Sequence, residues 1–277
     1  MATYDIRPLQ LKILEILDVV DKTCKENNIK YYLASGTMLG AIRHKGFIPW
    51  DDDADIMMPR PDYEKFIANA NQWLPKQYEL ICSENDENYS FPFAKVQDSQ
   101  TTILERIHLK YIGGVYLDVF PLDGISSNKI AQWWHFFRYH YYKKINYFIN
   151  RDPYKHGHGP SSWLPLLIQK TYSKQWVKMK MRKMMISYDY DKCELVVDHD
   201  DGWKGVVRKD IVGEPTPTLF EGKEYCGVEK YDSYLTIKYD DYMTIPPLSK
   251  QHQHNFYYLN LEKPYRDFNE SDIDNSI

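Results

Sequence analysis

The sequence predicts an α/β protein with a helical unit in its middle, on three observations. Strand-like runs alternate with amphipathic stretches over the first 125 residues. Two long helical patterns then follow one another between residues 129 and 188 with no strand between them. The composition, 277 residues with 43% hydrophobic and 27% charged, is that of a chain able to bury a sizeable core without disulfides or metal staples.

Each element has its own warrant. Leu9, Ile13, Ile16, Leu17 and Val20 recur at helical spacing and predict a helix over 8–27. Residues 30–34 read as a short strand. Ser35-Gly36-Thr37 breaks the pattern, and 38–42 resumes as a short helix whose N-terminal amides can hold an anion. Arg43-His44-Lys45-Gly46 is a basic turn. Residues 53–58 read as a strand ended by Pro59 and Pro61, and 62–73 as a helix. Strand-like runs follow at 78–82, 91–96, 101–105 and 114–120, the last closed by Pro121. Helical patterns at 130–150 and 163–187 flank a Gly/Pro/His linker over 153–160. Shorter strands and a final helix near 248–261 then return to the first unit. The expected organisation is a catalytic core over 1–128, a basic aromatic helical subdomain over 129–188, and a part over 189–277 that completes the core and the acceptor side.

The formal net charge of −4 hides a split. Residues 129–188 hold twelve basic residues and one acid (Asp152), a local +11, so the rest carries −15. Such polarity predicts an anionic partner at one place and a cationic one at another. Cys24, Cys82, Cys193 and Cys226 are scattered, with neither a disulfide framework nor zinc spacing, which fits a reducing, cytoplasmic compartment. The N-terminal stretch has acids and an amphipathic rhythm unlike a signal peptide, and no run of about 18 apolar residues would span a membrane.

Trp50-Asp51-Asp52-Asp53-Ala54-Asp55-Ile56 is the most informative stretch. On a strand, Asp53 and Asp55 share a face with Cβ atoms ~7 Å apart, close enough to grip a divalent ion. Hard oxygen ligands favour Mg²⁺ or Mn²⁺, ions that bridge carboxylates to substrate phosphates. An acidic turn ahead of a strand is the alternative. Asp52 points the other way. Ser35-Gly36, some 17 residues earlier, is a small turn able to approach a phosphate. Asp118 lies in an apolar strand, where a carboxylate is costly without a partner, and a metal on Asp53 and Asp55 would supply one. Asp123 reads as a turn residue. With Arg43, His44 and Lys45 nearby, these acids make a phosphoryl-transfer centre.

The block from Ser35 to Ile56, with Arg60-Pro61-Asp62-Tyr63-Glu64-Lys65-Phe66, Asp118-Val119-Phe120-Pro121-Leu122-Asp123-Gly124 and, more weakly, Tyr239-Asp240-Asp241-Tyr242-Met243, Pro246-Pro247 and His254, resembles the LicD family, which includes fukutin and fukutin-related protein. The resemblance implies a nucleotidyltransferase-like fold, a twisted mixed sheet with helices. It also implies Mg²⁺-dependent transfer of phosphocholine from CDP-choline to a teichoic acid, lipooligosaccharide or capsule, or, in the fukutin branch, of ribitol phosphate from CDP-ribitol. The nucleotidyltransferase pattern maps onto Ser35-Gly36 (with Thr37), Asp53, Asp55 and Asp118, the last three as metal-binding and catalytic acids. The first turn reads Ser-Gly instead of Gly-Ser, Lys250-Gln251 follows the Pro-Pro, and the zinc-binding cysteines of the fukutin branch have no counterpart.

Weaker signals complete the set. Arg43, His44 and Lys45 are assigned to the nucleotide or phosphate, with an exposed basic turn as the alternative. Lys95 can reach a phosphate from its strand or lay its stem along the sheet. His252 and His254 stand as acceptor-side candidates; His156 and His158 are too few for a metal site. Residues 129–188 allow three readings: an arm for a membrane surface or polyanion that would seat the protein peripherally at the inner face of the membrane, a lid for a phosphate-bearing glycan or lipid-linked glycan, or a subdomain whose aromatics fill a core while its lysines are solvated. No nucleic-acid-binding motif is present. Sugar-phosphate transfer from CDP-glycerol or a sugar nucleotide is the nearest enzymatic alternative, and a non-catalytic glycan-binding protein the alternative of another class.

Overall fold

Helix α1 (Ile6–Asn27) starts where the Asp5 carboxylate accepts the Arg7 N–H, and ends at Asn28 in the left-handed conformation. Its buried stripe includes Leu9, Ile13, Ile16, Leu17 and Val20, the five positions the spacing selects. In this computed structural model, residues 5–105, 111–154, 157–251, 253, 256–269 and 271–274 are described. After α1 come β1 (Tyr32–Leu33), α2 (Ser35–Arg43), β2 (Asp55–Pro59), α3 (Arg60–Trp73), β3 (Tyr78–Ile81), β4 (Ala94–Asp98), β5 (Thr102–Leu104) and β6 (Tyr116–Ile125). The helical unit is α4 (Lys129–Asn150), α5 (Pro160–Thr171) and α6 (Lys174–Met185). The chain returns through β7 (Leu195–Asp198), β8 (Val206–Arg208), α7 (Lys209–Val212), the hairpin β9 (Thr216–Phe220) and β10 (Lys223–Gly227), α8 (Tyr231–Tyr239), β11 (Tyr258–Asn260) and α9 (Ser271–Asp274).

The main sheet is mixed, in the order β1-β2-β6-β4-β3, with β7 and then β8 added along the second half of β6. Only β2 and β6 run parallel among its pairs. All ten residues of β6 are buried, as expected of a central strand covered on both faces. Helices α1 and α3 pack against it.

Several boundaries differ from expectation. β6 continues through Pro121 to Ile125. Asp118 N–H donates to Ala54 O just ahead of β2, so the N–H that Pro121 lacks would face the other way, between the last β4 pair (Val119) and the first β7 pair (Leu122). No ladder bond is lost there. Asp123 is consequently a buried strand residue, not a turn. The second helical pattern divides at Tyr172-Ser173, where the Ser173 hydroxyl accepts the Trp176 N–H and starts α6. The final helix is replaced by a short 3₁₀ turn after Pro246-Pro247 and by β11, which pairs with β5.

The helical unit has its own small core, Tyr139, Ile145, Ile149, Val177, Met181 and Met185. Polar ties fasten it to the sheet: Lys178 Nζ donates to Asp86 O and Glu87 O, Arg182 pairs with Glu84 and Glu64, and Asn146 donates to Ser90 O. Phe136 closes the seam against Ile125 and Val197. No described helix is long and apolar enough to cross a membrane.

Candidate active site

Register alone assembles the central feature. The parallel pairing of β2 with β6 sets Asp55 beside Asp118, and the antiparallel pairing of β4 with β6 sets Lys95 beside Asp118 on its other flank. Residues in register share a face, so carboxylate, carboxylate and ammonium form a row across three strands. The row lines a cavity of about 480 Å³, which Asp53, Ser35 and Glu105 also reach.

The turn ahead of α2 fixes the first acid. Ala34 N–H donates to Asp55 O at 3.0 Å, and Asp55 N–H donates to Thr37 Oγ1 at 2.8 Å. Ser35 is held in the left-handed region (φ 43°), its N–H on the Tyr234 hydroxyl at 3.1 Å. A Cβ at Gly36 would come within 2.9 Å of Asp51 Oδ2, so a larger residue would push the acidic loop away. Contrary to the expected break over 35–37, α2 begins at Ser35 itself, which brings these residues onto Asp55.

The electrostatics are those of a site short of positive charge. Burial first, then Asp53, Asp118 and Asp51, push the Asp55 carboxyl well above the usual carboxylate range. Burial pushes Asp118 up to about 7 against the pull of Lys95, with Glu105 and Asp53 adding to the rise. Lys95 Nζ is 3.5 Å from Asp118 Oδ1 but makes its close contacts elsewhere, 2.6 Å from Glu105 Oε1 and 3.1 Å from the centre of the Tyr116 ring. Asp118 Oδ1 is thus buried without a hydrogen-bond donor among the described residues. An orphaned carboxylate oxygen facing two further acids is a hard-ligand set that suits a divalent cation. Among the described residues no three His, Cys, Asp or Glu side chains converge tightly enough to grip one ion as they stand.

A second charged cluster, with Asp198, Asp200 and Asp201, also lines the cavity. Lys238 of α8 is buried, and its ammonium donates to Ser35 Oγ at 2.9 Å and to Asp201, with Asp198 Oδ2 at 3.9 Å. Burial works against the Lys238 charge, but Tyr234, Asp198 and Asp201 hold its pKa well up. Burial lifts Asp198 to about 7 despite Lys238. Lys143 of α4 reaches Asp200 at 2.7 Å across the cavity rim. Asp198, Asp201 and Lys238 are absent from the sequence-based set. For Asp198 a local signal exists: Val196-Val197-Asp198 is an apolar run with an acid, like the apolar surroundings of Asp118.

Of the sequence-predicted residues, Asp53, Asp55, Asp118, Lys95 and Ser35 line this cavity, and Gly36 and Thr37 stand directly behind it. Arg43, His44 and Lys45 do not line it. They sit at the far end of α2, where the Arg43 guanidinium donates to Tyr242 O at 2.8 Å and to His44 Nε2 at 2.9 Å, and burial, then Arg43, lower the His44 pKa. His252 and His254, like His156, lie outside the described residues.

Residues 28–155 match the family described as LicD/FKTN/FKRP, nucleotidyltransferase domain. The chain is 30% identical over 267 residues to the lipopolysaccharide cholinephosphotransferase LicD of Haemophilus influenzae, covering 92% of this chain and 97% of that protein. An uncharacterised Rickettsia typhi protein is 44% identical over 127 residues, 43% of this chain and 37% of its own. The ribitol-5-phosphate transferase FKTN of Mus musculus is 32% identical over 91 residues, 32% of this chain and 20% of its own.

Proposed function

This chain belongs to the LicD family, and on that premise we propose that it moves phosphocholine from a CDP-activated donor to a hydroxyl of a bacterial surface glycan. The observation that carries the reading is the row Asp55–Asp118–Lys95, facing a cavity with a carboxylate oxygen left unsatisfied. Asp53, Asp55 and Asp118 would hold Mg²⁺ or Mn²⁺, which when bound neutralises charge on the donor diphosphate. Lys95 in the cavity lining and Lys238 behind Ser35 are the fixed cations. Asp55 or Asp118 accepts the proton of the acceptor hydroxyl as that oxygen attacks the phosphorus bearing choline; the bond to the bridging oxygen breaks, and CMP leaves.

The cavity wall supports choline over an alditol. Phe91, Phe93, Tyr116, Phe120 and Tyr147 line it, and aromatic faces attract a quaternary ammonium that ribitol or glycerol lacks. Likeness to FKTN favours the second reading, alditol phosphate transfer from CDP-ribitol or CDP-glycerol. The complete acid set speaks against an inert glycan-binding scaffold, which would have no use for costly buried carboxylates. The test is CMP release and acceptor mass with Mg²⁺, lipooligosaccharide or teichoic acid, and each CDP donor in turn. CDP-choline should give CMP and a phosphocholine increment; release from CDP-ribitol alone would install the second reading, and release from none would overturn the assignment.

A further inference from the structure

Helix α4 presents an exposed face that the transfer site does not use. Ile130, Trp133, Trp134, Phe137 and Tyr141 fall at i, i+3, i+4, i+7 and i+11, on one side of the helix, and each is 49–72% exposed. Trp133 stacks on Phe137 at 5.5 Å and Trp134 stands edge-on to both, so the cluster packs on itself and, among the described residues, stays exposed. On α5, Trp163, Leu166 and Leu167 repeat the pattern, and the Tyr141 hydroxyl meets that of Tyr172, at the end of α5, at 3.1 Å. Beside the α4 stripe, Arg138, Lys180 and Lys183 line a groove of about 250 Å³ with Tyr142 and Ser187 and no carboxylate. None of these three cations makes an ion pair with a described carboxylate, unlike Lys143 and Arg182 of the same unit.

Large aromatic and aliphatic side chains left in water, rimmed by unpaired cations, match the two layers of a membrane interface. Apolar rings enter the acyl boundary, and ammonium and guanidinium groups meet the phosphates. A second copy of the chain fits the face poorly, because two units of local charge +11 would be pressed together. We propose that α4 and α5 seat the protein on an anionic phospholipid bilayer, with a lipid phosphate in the groove of Arg138, Lys180 and Lys183. The same helix α4 sends Lys143, Asn146 and Tyr147 into the reaction cavity, so docking would bring the cavity within one helix length of the bilayer, about 33 Å at most. The inference does not depend on which donor is used.

Flotation of the full chain with vesicles tests it, comparing pure phosphatidylcholine with an equal mixture of phosphatidylglycerol and phosphatidylcholine at low and high salt. The protein should float with the anionic vesicles alone and be released by salt. Replacing Arg138, Lys180 and Lys183 together by Gln should lower the partition coefficient by about a hundredfold. Trp133→Ser with Phe137→Ser should abolish flotation while circular dichroism and transfer to a water-soluble acceptor stay unchanged. Failure to float with either vesicle, equal binding to both, indifference to these substitutions, or a dimer dissociated by Trp133→Ser in vesicle-free solution would each overturn the proposal.

Discussion

Asp118 and Asp123 lie five residues apart in β6, both almost completely buried, yet they stand in opposite electrostatic worlds. An odd separation puts them on opposite faces of the strand. Asp118 faces the cavity, with an oxygen unsatisfied and its carboxyl lifted to about 7. Asp123 faces Arg60, which grips both its oxygens at 2.6 and 2.8 Å, and His199 Nδ1 stands 3.2 Å away. Burial pushes against the Asp123 charge, but Arg60 and His199 override it and hold the carboxyl below its ordinary range. A buried acid with its partners is architecture. One whose buried oxygen lacks a donor, as Asp118 Oδ1 does, is costly as it stands, and on the proposed function that cost holds it ready for a ligand.

Breaking each member of the pair should give opposite phenotypes. Asp118→Asn, and likewise Asp55→Asn, is expected to lower transfer by ~10³-fold or more, read as CMP release, with an unfolding midpoint unchanged or higher because a repelled charge is gone. Asp123→Asn is expected to cost about 3–5 kcal/mol in urea unfolding, since it removes the carboxylate that takes two bonds from the buried Arg60 guanidinium and leaves it Glu64 alone, while folded protein at low temperature keeps turnover. Lys238→Met should fall between the two. Asp198 and Asp201 lose their shared cation and Ser35 its hydroxyl contact, for a predicted loss of about 1–3 kcal/mol together with weakened donor binding by calorimetry.

The smallest effect concerns pH. Burial, then His199, lower His135 to about 4, so between about 4 and 6.5 the unfolded chain binds more protons than the folded one, and this residue's contribution to stability is lost as pH falls through that window. The difference in unfolding free energy between the native chain and His135→Gln should shrink on acidification from pH 7 to pH 4.5. A constant difference would show that His135 does not stay neutral in the fold as its burial requires.

What was legible in the sequence was whatever repeats or clusters locally. The α1 stripe, the Asp53/Asp55 spacing and the apolar surroundings of Asp118 are read from neighbours a few residues away. Lys238 escaped notice because its contacts, Ser35 and Asp201, lie 203 and 37 residues off. Asp123 reads as a turn between Pro121 and Gly124; it is a strand residue because β7, some 74 residues on, pairs with it at Val197, and its buried carboxylate is met by Arg60, 63 residues earlier. The aromatics of α4 were legible in number and not in direction. Phe136 and Tyr139 turn inward and Trp133, Trp134 and Phe137 outward, which depends on where α6 and β7 come to rest.

The most direct test is to measure, on the same preparations of Asp118→Asn and Asp123→Asn, Mg²⁺-dependent CMP release from CDP-choline and the urea midpoint of unfolding. A crossed result is predicted: Asp118→Asn inactive at native stability, Asp123→Asn active below its lowered midpoint. If Asp118→Asn keeps native turnover, or loses it only in step with its stability, the division of β6 into a reactive acid and a structural one is wrong.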